Sequence, residues 1–292
     1  MGKTRSRQFF FVIWVGITGN FILFPSGPQV SDGEKLRSIL EKTAEYCEKL
    51  KGLALHFVCE EKIQERTFTF KKSLLFKRSR EKRGYELIED LGVDKTAKKS
   101  YVYDYQMIKK GDDFKELRNL LAENGKKKNE RNVKLKTVRM SSKFLVFGPV
   151  GFLSQYWQRH FNYKIIGSEN VGSRVAVVIR AYSKETREEN DNSGTIWIDE
   201  ADCSILKIEW EPRSISHFVE KAESSVGELK RKMTWTVSYD IIHKGVRFPS
   251  RQLIKESYIT KAGKEHLKYE ATYSYENYKY FIVETEVNWQ PI

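Results

Sequence analysis

The feature that constrains this chain most is the succession of strand-patterned runs that follows its first fifty or so residues. "LALHFVCEEKIQERTFTFKKSLLFKR" from Leu53 holds at least two runs and "SYVYDYQMIKK" from Ser100 another. From "NYKIIGS" onward, strands follow almost throughout. Met233, Trp235, Val237, Tyr239 and Ile241 share one face against Thr234, Thr236, Ser238 and Asp240. Leu267, Tyr269, Ala271, Tyr273 and Tyr275 alternate in the same way with polar neighbours. A period of two with one apolar side marks strands that bury a single face. The turns are Asn190–Gly194, His243-Lys244-Gly245 and Thr260–Gly263, and Pro249 argues for an edge position or a bulge. About ten strands joined by turns imply one large, curved antiparallel sheet.

Helices are few. Residues 34–51 carry Leu36, Leu40, Ala44 and Cys47 at helical spacing, with Ser31 or Asp32 to cap the start and Gly52 to end it. "FKELRNLLAENG" reads as a short helix with Phe114, Leu117, Leu120 and Leu121 on one side and Gly125 as its stop. Lys126–Lys136 reads as a charged connection. In "MSSKFLVFGPVGFLSQYWQRHF", Pro149 suits the first turn of a helix, and Phe152, Leu153, Tyr156, Trp157, His160 and Phe161 recur on one face. That aromatic face is either ordinary core packing or the lid of a lipid-sized cavity.

Two segments are apolar on both faces. In "RVAVVIRAY", Val175, Val177 and Ile179 oppose Ala176, Val178 and Tyr182. In "GTIWIDEADCSILKIEW", Ile196, Ile198, Leu206, Ile208 and Trp210 oppose Trp197 and Ile205. A curved sheet can bury its inner face under helices while part of its outer face is covered as well. With so few helices, either an apolar cavity remains inside or the interior is fully packed. The candidates to line such a cavity are Phe144, Phe147, Phe152, Leu153, Tyr156, Trp157, Trp197, Trp210 and Trp235.

The N-terminus differs in kind. Lys3, Arg5 and Arg7 precede an apolar run from Phe9 to Phe24 and a break at Pro25-Ser26-Gly27. This is the pattern of an export signal over residues 1–27, with a cleavage site that can fall as late as 33. The alternative is an uncleaved anchor in the inner membrane, although a span needs about 20 apolar residues. No composition shift divides residues 34–289, which read as one domain. The formal net charge is +13, and removing the three basic leader residues leaves 13 − 3 = +10. For an exported chain this favours an anionic membrane surface over nucleic acid as a partner. Export also favours a Cys47–Cys59 disulfide, leaving Cys203 unpaired.

Reactive motifs are absent. No CxxC, HxH or HExxH spacing holds a metal, and no GxSxG, P-loop or GxGxxG occurs, so neither a catalytic residue nor a cofactor is assigned. Glu60, Glu61 and Glu65, beside Lys62 and Arg66, read as a solvated strand edge. Asp104, among tyrosines, is expected to hydrogen-bond to one of them.

The order of these features resembles the LolA-like superfamily of periplasmic lipoprotein carriers and lipoprotein-sorting proteins. The similarity is carried by "GTIWID" at Gly194–Asp199, "ILKI" at Ile205–Ile208 and the closing "YENYKYF" at Tyr275–Phe281. The resemblance implies a mainly β (α+β) fold, an open half-barrel covered by the N-terminal helix and inserted helices. It further implies a non-enzymatic periplasmic protein that binds lipid, acyl chains or a lipidated protein. The carriers latch their lid with a particular arginine, which matches no single arginine here. An envelope scaffold or signalling domain with a protein partner and no lipid cargo is the alternative.

Overall fold

The computed structural model describes residues 31–53, 56–78, 85–110, 113–137, 145–184, 193–211, 230–260 and 263–281. The expected export signal lies outside them. Among the described residues, one antiparallel sheet of eleven strands runs β4-β3-β2-β1-β13-β12-β9-β8-β7-β6-β5 and does not close on itself. The strands on one side are β1 (His56–Arg78), β2 (Tyr85–Lys110), β3 (Asp113–Glu123) and β4 (Lys126–Glu130). Those on the other are β5 (Phe161–Val171), β6 (Arg174–Ser183), β7 (Gly194–Asp199), β8 (Ile205–Trp210) and β9 (Lys230–Ser238). β12 (Arg251–Ile259) and β13 (Glu265–Tyr280) join the two sides. A separate small hairpin, β10 (Ile241–His243) and β11 (Val246–Phe248), turns through Lys244 and Gly245, both at positive φ.

The inner face is covered by α1 (Asp32–Leu53), by two short helices, α2 (Gly148–Leu153) and α3 (Gln155–Gln158), and by an extended strap, residues 131–137. Helix α1 buries Ile39, Thr43, Tyr46, Cys47 and Leu50, while Leu36 and Leu40 are only partly covered. Its buried stripe is therefore rotated from the Leu36–Leu40–Ala44–Cys47 line of the sequence reading. Pro149 does stand in the first turn of α2.

Three local expectations are corrected. Residues 113–123 form a strand, not a helix, and their helix-like spacing arises from an irregularity. Val102 faces Ala122 but Tyr103 faces Leu120, so Leu121 is an extra residue, left 40% exposed. Lys126–Glu130, read as connection, pairs with β3 as the edge strand, and its exposed lysines suit an edge. Pro249 lies just before β12 rather than within a strand, where its missing N–H would break the ladder.

The cysteines supply a fourth correction. Cys47, Cys59 and Cys203 are all buried and all free. Cys47 Sγ donates to the Pro149 carbonyl of α2 at 3.5 Å instead of bonding to Cys59. Burial raises the Cys47 thiol pKa to about 12 and that of Cys59 further still, so both act as small apolar core groups.

Candidate functional site: the inner face of the sheet

Cross-strand register lays out the inner face row by row. One row runs Ile165–Ile179–Ile196–Ile208–Val237–Gln252–Tyr273–Ile63–Tyr101, each residue opposite the next. A second runs Tyr163–Ala181–Gly194–Trp210–Trp235–Ile254–Ala271–Glu65. The first row changes character where it crosses from β9 into β12, and the second where it crosses from β13 into β1 at Glu65. The face is aliphatic and indole on the β5–β9 side. On the β12–β13–β1–β2–β3 side buried phenols and carboxylates are interspersed with apolar residues such as Ile63, Met107 and Leu120.

On the apolar side, Trp210 and Trp235 stack with centroids 4.4 Å apart, and Phe152 of α2 packs between Phe161 and Trp210. The cover sits close because two positions lack a side chain. A Cβ on Gly148 would come 2.8 Å from Tyr239 Oη, and one on Gly194 would come 3.2 Å from the Phe152 ring of α2 as well as 2.7 Å from the Glu209 carbonyl oxygen of β8. Hydrogen bonds among the described residues tie the cover together and to the strands, including Arg247 N to Tyr46 Oη of α1 at 2.9 Å. Gln158 Nε2 donates at 2.7 Å to both the Leu40 and Leu153 carbonyls, and Tyr163 Oη donates to the Phe152 carbonyl at 2.5 Å.

On the polar side, Glu61 is fully buried at 0% exposure and takes a paired contact from Arg118, with Nε at 2.6 Å and Nη2 at 3.2 Å. Arg118 also stacks over the Tyr105 ring at 4.4 Å. Burial alone would lower the Arg118 pKa, but the Glu61 carboxylate more than offsets this and holds the guanidinium charged. Tyr269 Oη donates to Glu65 at 2.5 Å, and Glu256, also at 0% exposure, pairs with Arg231 at 2.9 Å. Burial pushes the phenols of Tyr105 and Tyr275 well above their ordinary range and that of Tyr103 to about 12. The strap closes over this side. Val133 N donates to the Arg118 carbonyl at 2.9 Å, Lys136 N to Tyr103 Oη at 3.3 Å, and Tyr101 Oη to the Lys136 carbonyl at 3.4 Å.

The residues expected to line an apolar cavity divide accordingly. Phe152, Leu153, Trp210 and Trp235 meet in the core on the apolar side, and Phe147 packs against it partly covered. Tyr156 and Trp157 are 62% and 40% exposed, because the expected long helix breaks at Ser154 into α2 and α3 and turns them outward. Phe144 lies outside the described residues. Trp197 is on the outer face, in a small cluster with Ala176, Val178 and Leu206. Its Nε1 donates to Glu169 at 2.7 Å, and Lys207 Nζ lies 3.4 Å over its ring.

Two residues of the hairpin were placed on the wrong faces from sequence. Ile205 faces the main core and Leu206 the outer cluster, because a bulge between Trp197 and Ile198 shifts the register. Glu61 and Glu65, taken for a solvated edge, are buried, at 0% and 3% exposure. Their signal was available in the alternation Glu61–Ile63–Glu65, which shares Ile63's face. Asp104 bonds to Gln106 and Asn119, at 2.8 and 3.0 Å, and among the described residues to no tyrosine. A cleft of about 480 Å³ opens on the outer face, lined by Gln64, Arg66, Lys98, Ser100, Asn124 and Thr272 among others, and it is polar rather than apolar. Among the described residues no group of three or more His, Cys, Asp or Glu could hold a metal ion, and no helix is long and apolar enough to cross a membrane.

No family model matches the chain, and no curated protein matches it. Solved structures similar to it include a LolA superfamily protein from Nitrosomonas europaea, with 12% identity, covering 88% of this chain and 96% of that one at a TM-score of 0.32. A DUF1329 family protein from Desulfovibrio piger has 9% identity, 85% and 94% coverage and a TM-score of 0.37. An outer membrane lipoprotein-sorting protein domain from Vibrio parahaemolyticus has 11% identity, 85% and 95% coverage and a TM-score of 0.34. The superfamily that the hairpin pattern resembles is thus represented among the neighbours. With TM-scores this low, none of them assigns the chain a ligand or a partner.

Proposed function

We propose that the protein is a non-enzymatic, exported binding protein that holds an apolar ligand against the inner face of β5–β9. The ligand would be an acyl chain, a lipid or the lipid of a lipidated protein, and the compartment the periplasm. The observation that carries this reading is the construction of the cover. An aliphatic and indole surface spanning five strands is roofed by α1 and two helices of six and four residues. The short helices are held mainly by side-chain packing and a few hydrogen bonds. Such a cover can lift as a unit without breaking the sheet, and the apolar surface beneath it would then accept apolar atoms in place of Phe152.

Mass spectrometry of an organic extract of the purified protein tests the reading, together with displacement of a hydrophobic dye by palmitate. Bound lipid, or saturable displacement, is expected. The absence of both would overturn it.

A second reading, an envelope scaffold that binds a protein, draws on the long β1–β2 pairing. The register continues from Phe68 to Arg78 against Tyr85 to Thr96, while β13 stops at Thr67, so this ribbon has no paired neighbour among the described residues. Exposed strand edges recruit further strands. Cross-linking that recovers one partner, lost when the ribbon is shortened, would favour this reading.

A further inference from the structure

We infer that the α3 turn is a docking surface for an anionic lipid bilayer, made by the rings of Tyr156 and Trp157 and the cations of Arg159 and Lys184. The inference goes beyond the apolar-ligand reading and does not rest on it, since it concerns the solvent side of the cover. Tyr156 is 62% exposed and Trp157 40%, and their rings meet edge-on with centroids 5.3 Å apart. The His160 ring lies 5.4 Å from the first and 5.5 Å from the second, so the three form one cluster.

This turn is built inside out. A helix that only roofs a core turns its rings inward, as Phe152 of α2 does, and its amides outward. In α3 no residue is buried, and the polar one is the tether: Gln158 Nε2 reaches the Leu40 and Leu153 carbonyls at 2.7 Å. The protein thus holds the amide, and the indole and phenol are left to water. Rings with an apolar body and a polar tip favour the level of lipid head groups.

Charge selects the occupant. Lys184 is brought to the same turn by its N–H, which donates to the His160 carbonyl, and by its Nζ, which donates to the Arg159 carbonyl, both at 2.9 Å. Arg159 and Lys184 are exposed, and neither has an acidic partner among the described residues. No Asp or Glu occurs in the sequence between Glu130 and Glu169, although the chain holds 39 of them. Cations beside interfacial rings are drawn to anionic lipid, and a chain of formal net charge +13 is attracted to such a surface as a whole. Charge alone would instead present Lys126, Lys127 and Lys128 on β4, the opposite edge strand of the sheet from β5.

The test places a polarity-sensitive fluorophore on Gln155→Cys or on Lys127→Cys, both exposed positions, in the full chain, whose native thiols are buried. With vesicles of equal parts phosphatidylglycerol and phosphatidylcholine, the label at 155 should shift saturably to the blue and the label at 127 should not. Arg159→Glu with Lys184→Glu, and separately Tyr156→Ser with Trp157→Ser, should each remove most of the shift at 155. These side chains are exposed, so urea unfolding should stay as in the parent chain. No shift at 155, an equal shift at 127, or an equal shift at 155 on pure phosphatidylcholine would overturn the inference. A shift at 155 that both double variants keep would overturn it too, because the leader or another surface would then hold the bilayer. A shift with polyglutamate but none with anionic vesicles would replace the bilayer by an acidic protein partner. Displacement of the dye by palmitate is read separately, so this inference and the apolar-ligand reading can fail independently.

Discussion

The two halves of the inner face are equally buried yet held together by different physics. On the β5–β9 side the contacts are non-directional: Ile179, Ile196, Ile208 and Val237 are shielded from water, and Trp210 stacks on Trp235. On the β1–β3 and β12–β13 side the buried charges are held by directional contacts, among them Glu61 with Arg118, Glu65 with Tyr269 and Glu256 with Arg231. Apolar packing tolerates a change that conserves volume, whereas a paired charge tolerates no change to one partner alone. A single sheet can therefore present an adaptable surface at one end and an exacting one at the other.

The largest effect should come from breaking the exacting side. Glu61→Leu takes away the paired contact of the buried Arg118, leaving it only the longer contact to Glu116 at 3.5 Å, and should cost about 3–5 kcal/mol in urea unfolding. Adding Arg118→Met should restore most of that loss. A double variant as unstable as the single would mean that the pair is not the source of the cost. On the adaptable side, Trp210→Ala should cost about 3–5 kcal/mol by leaving a cavity, while Ile196→Leu should cost less than about 1.5 kcal/mol. Gly194→Ala should follow at about 1–3 kcal/mol, since its Cβ meets the backbone oxygen of Glu209, which cannot swing away.

Alkaline pH probes the buried phenols without mutation. The phenols of Tyr46 and Tyr103 are raised from 10.0 to about 12 by burial, so the folded state keeps protons that the unfolded chain would release. Their contribution is fully present below pH 10 and is lost as pH rises from about 10 to 12. Tyrosinate absorbance measured beside far-ultraviolet dichroism should show these phenols ionising only as the structure melts. Early ionisation of all the tyrosines would contradict their burial. The smallest effect belongs to the outer cluster, where Trp197→Phe removes the bond to Glu169 and should cost about 1 kcal/mol.

The division was half legible in the sequence. Alternating Met233, Trp235 and Val237 marked the apolar side directly, and the Tyr269–Tyr275 alternation marked β13. What escaped were departures from strict alternation, because a single extra residue inverts every inference beyond it. The bulge beside Trp197 exchanged the faces of Ile205 and Leu206, and the irregularity at Leu121 made β3 look helical. The buried carboxylates escaped for another reason. Glu61 beside Glu60 and Lys62 has the composition of an exposed edge, and its partner Arg118 is 57 residues away. The cover was misjudged at Ser154, where an extended backbone at ψ 152° splits one expected helix into two.

Contact between an acyl chain and the indoles of β8 and β9 is the most direct test of this division. Titration with a stearate brominated along its chain should quench tryptophan emission saturably, since bromine quenches only at contact. Trp210→Phe with Trp235→Phe should abolish most of that quenching while unbrominated palmitate still displaces the dye. No saturable quenching, or quenching that survives the double substitution, would contradict an acyl site on the apolar half of the sheet.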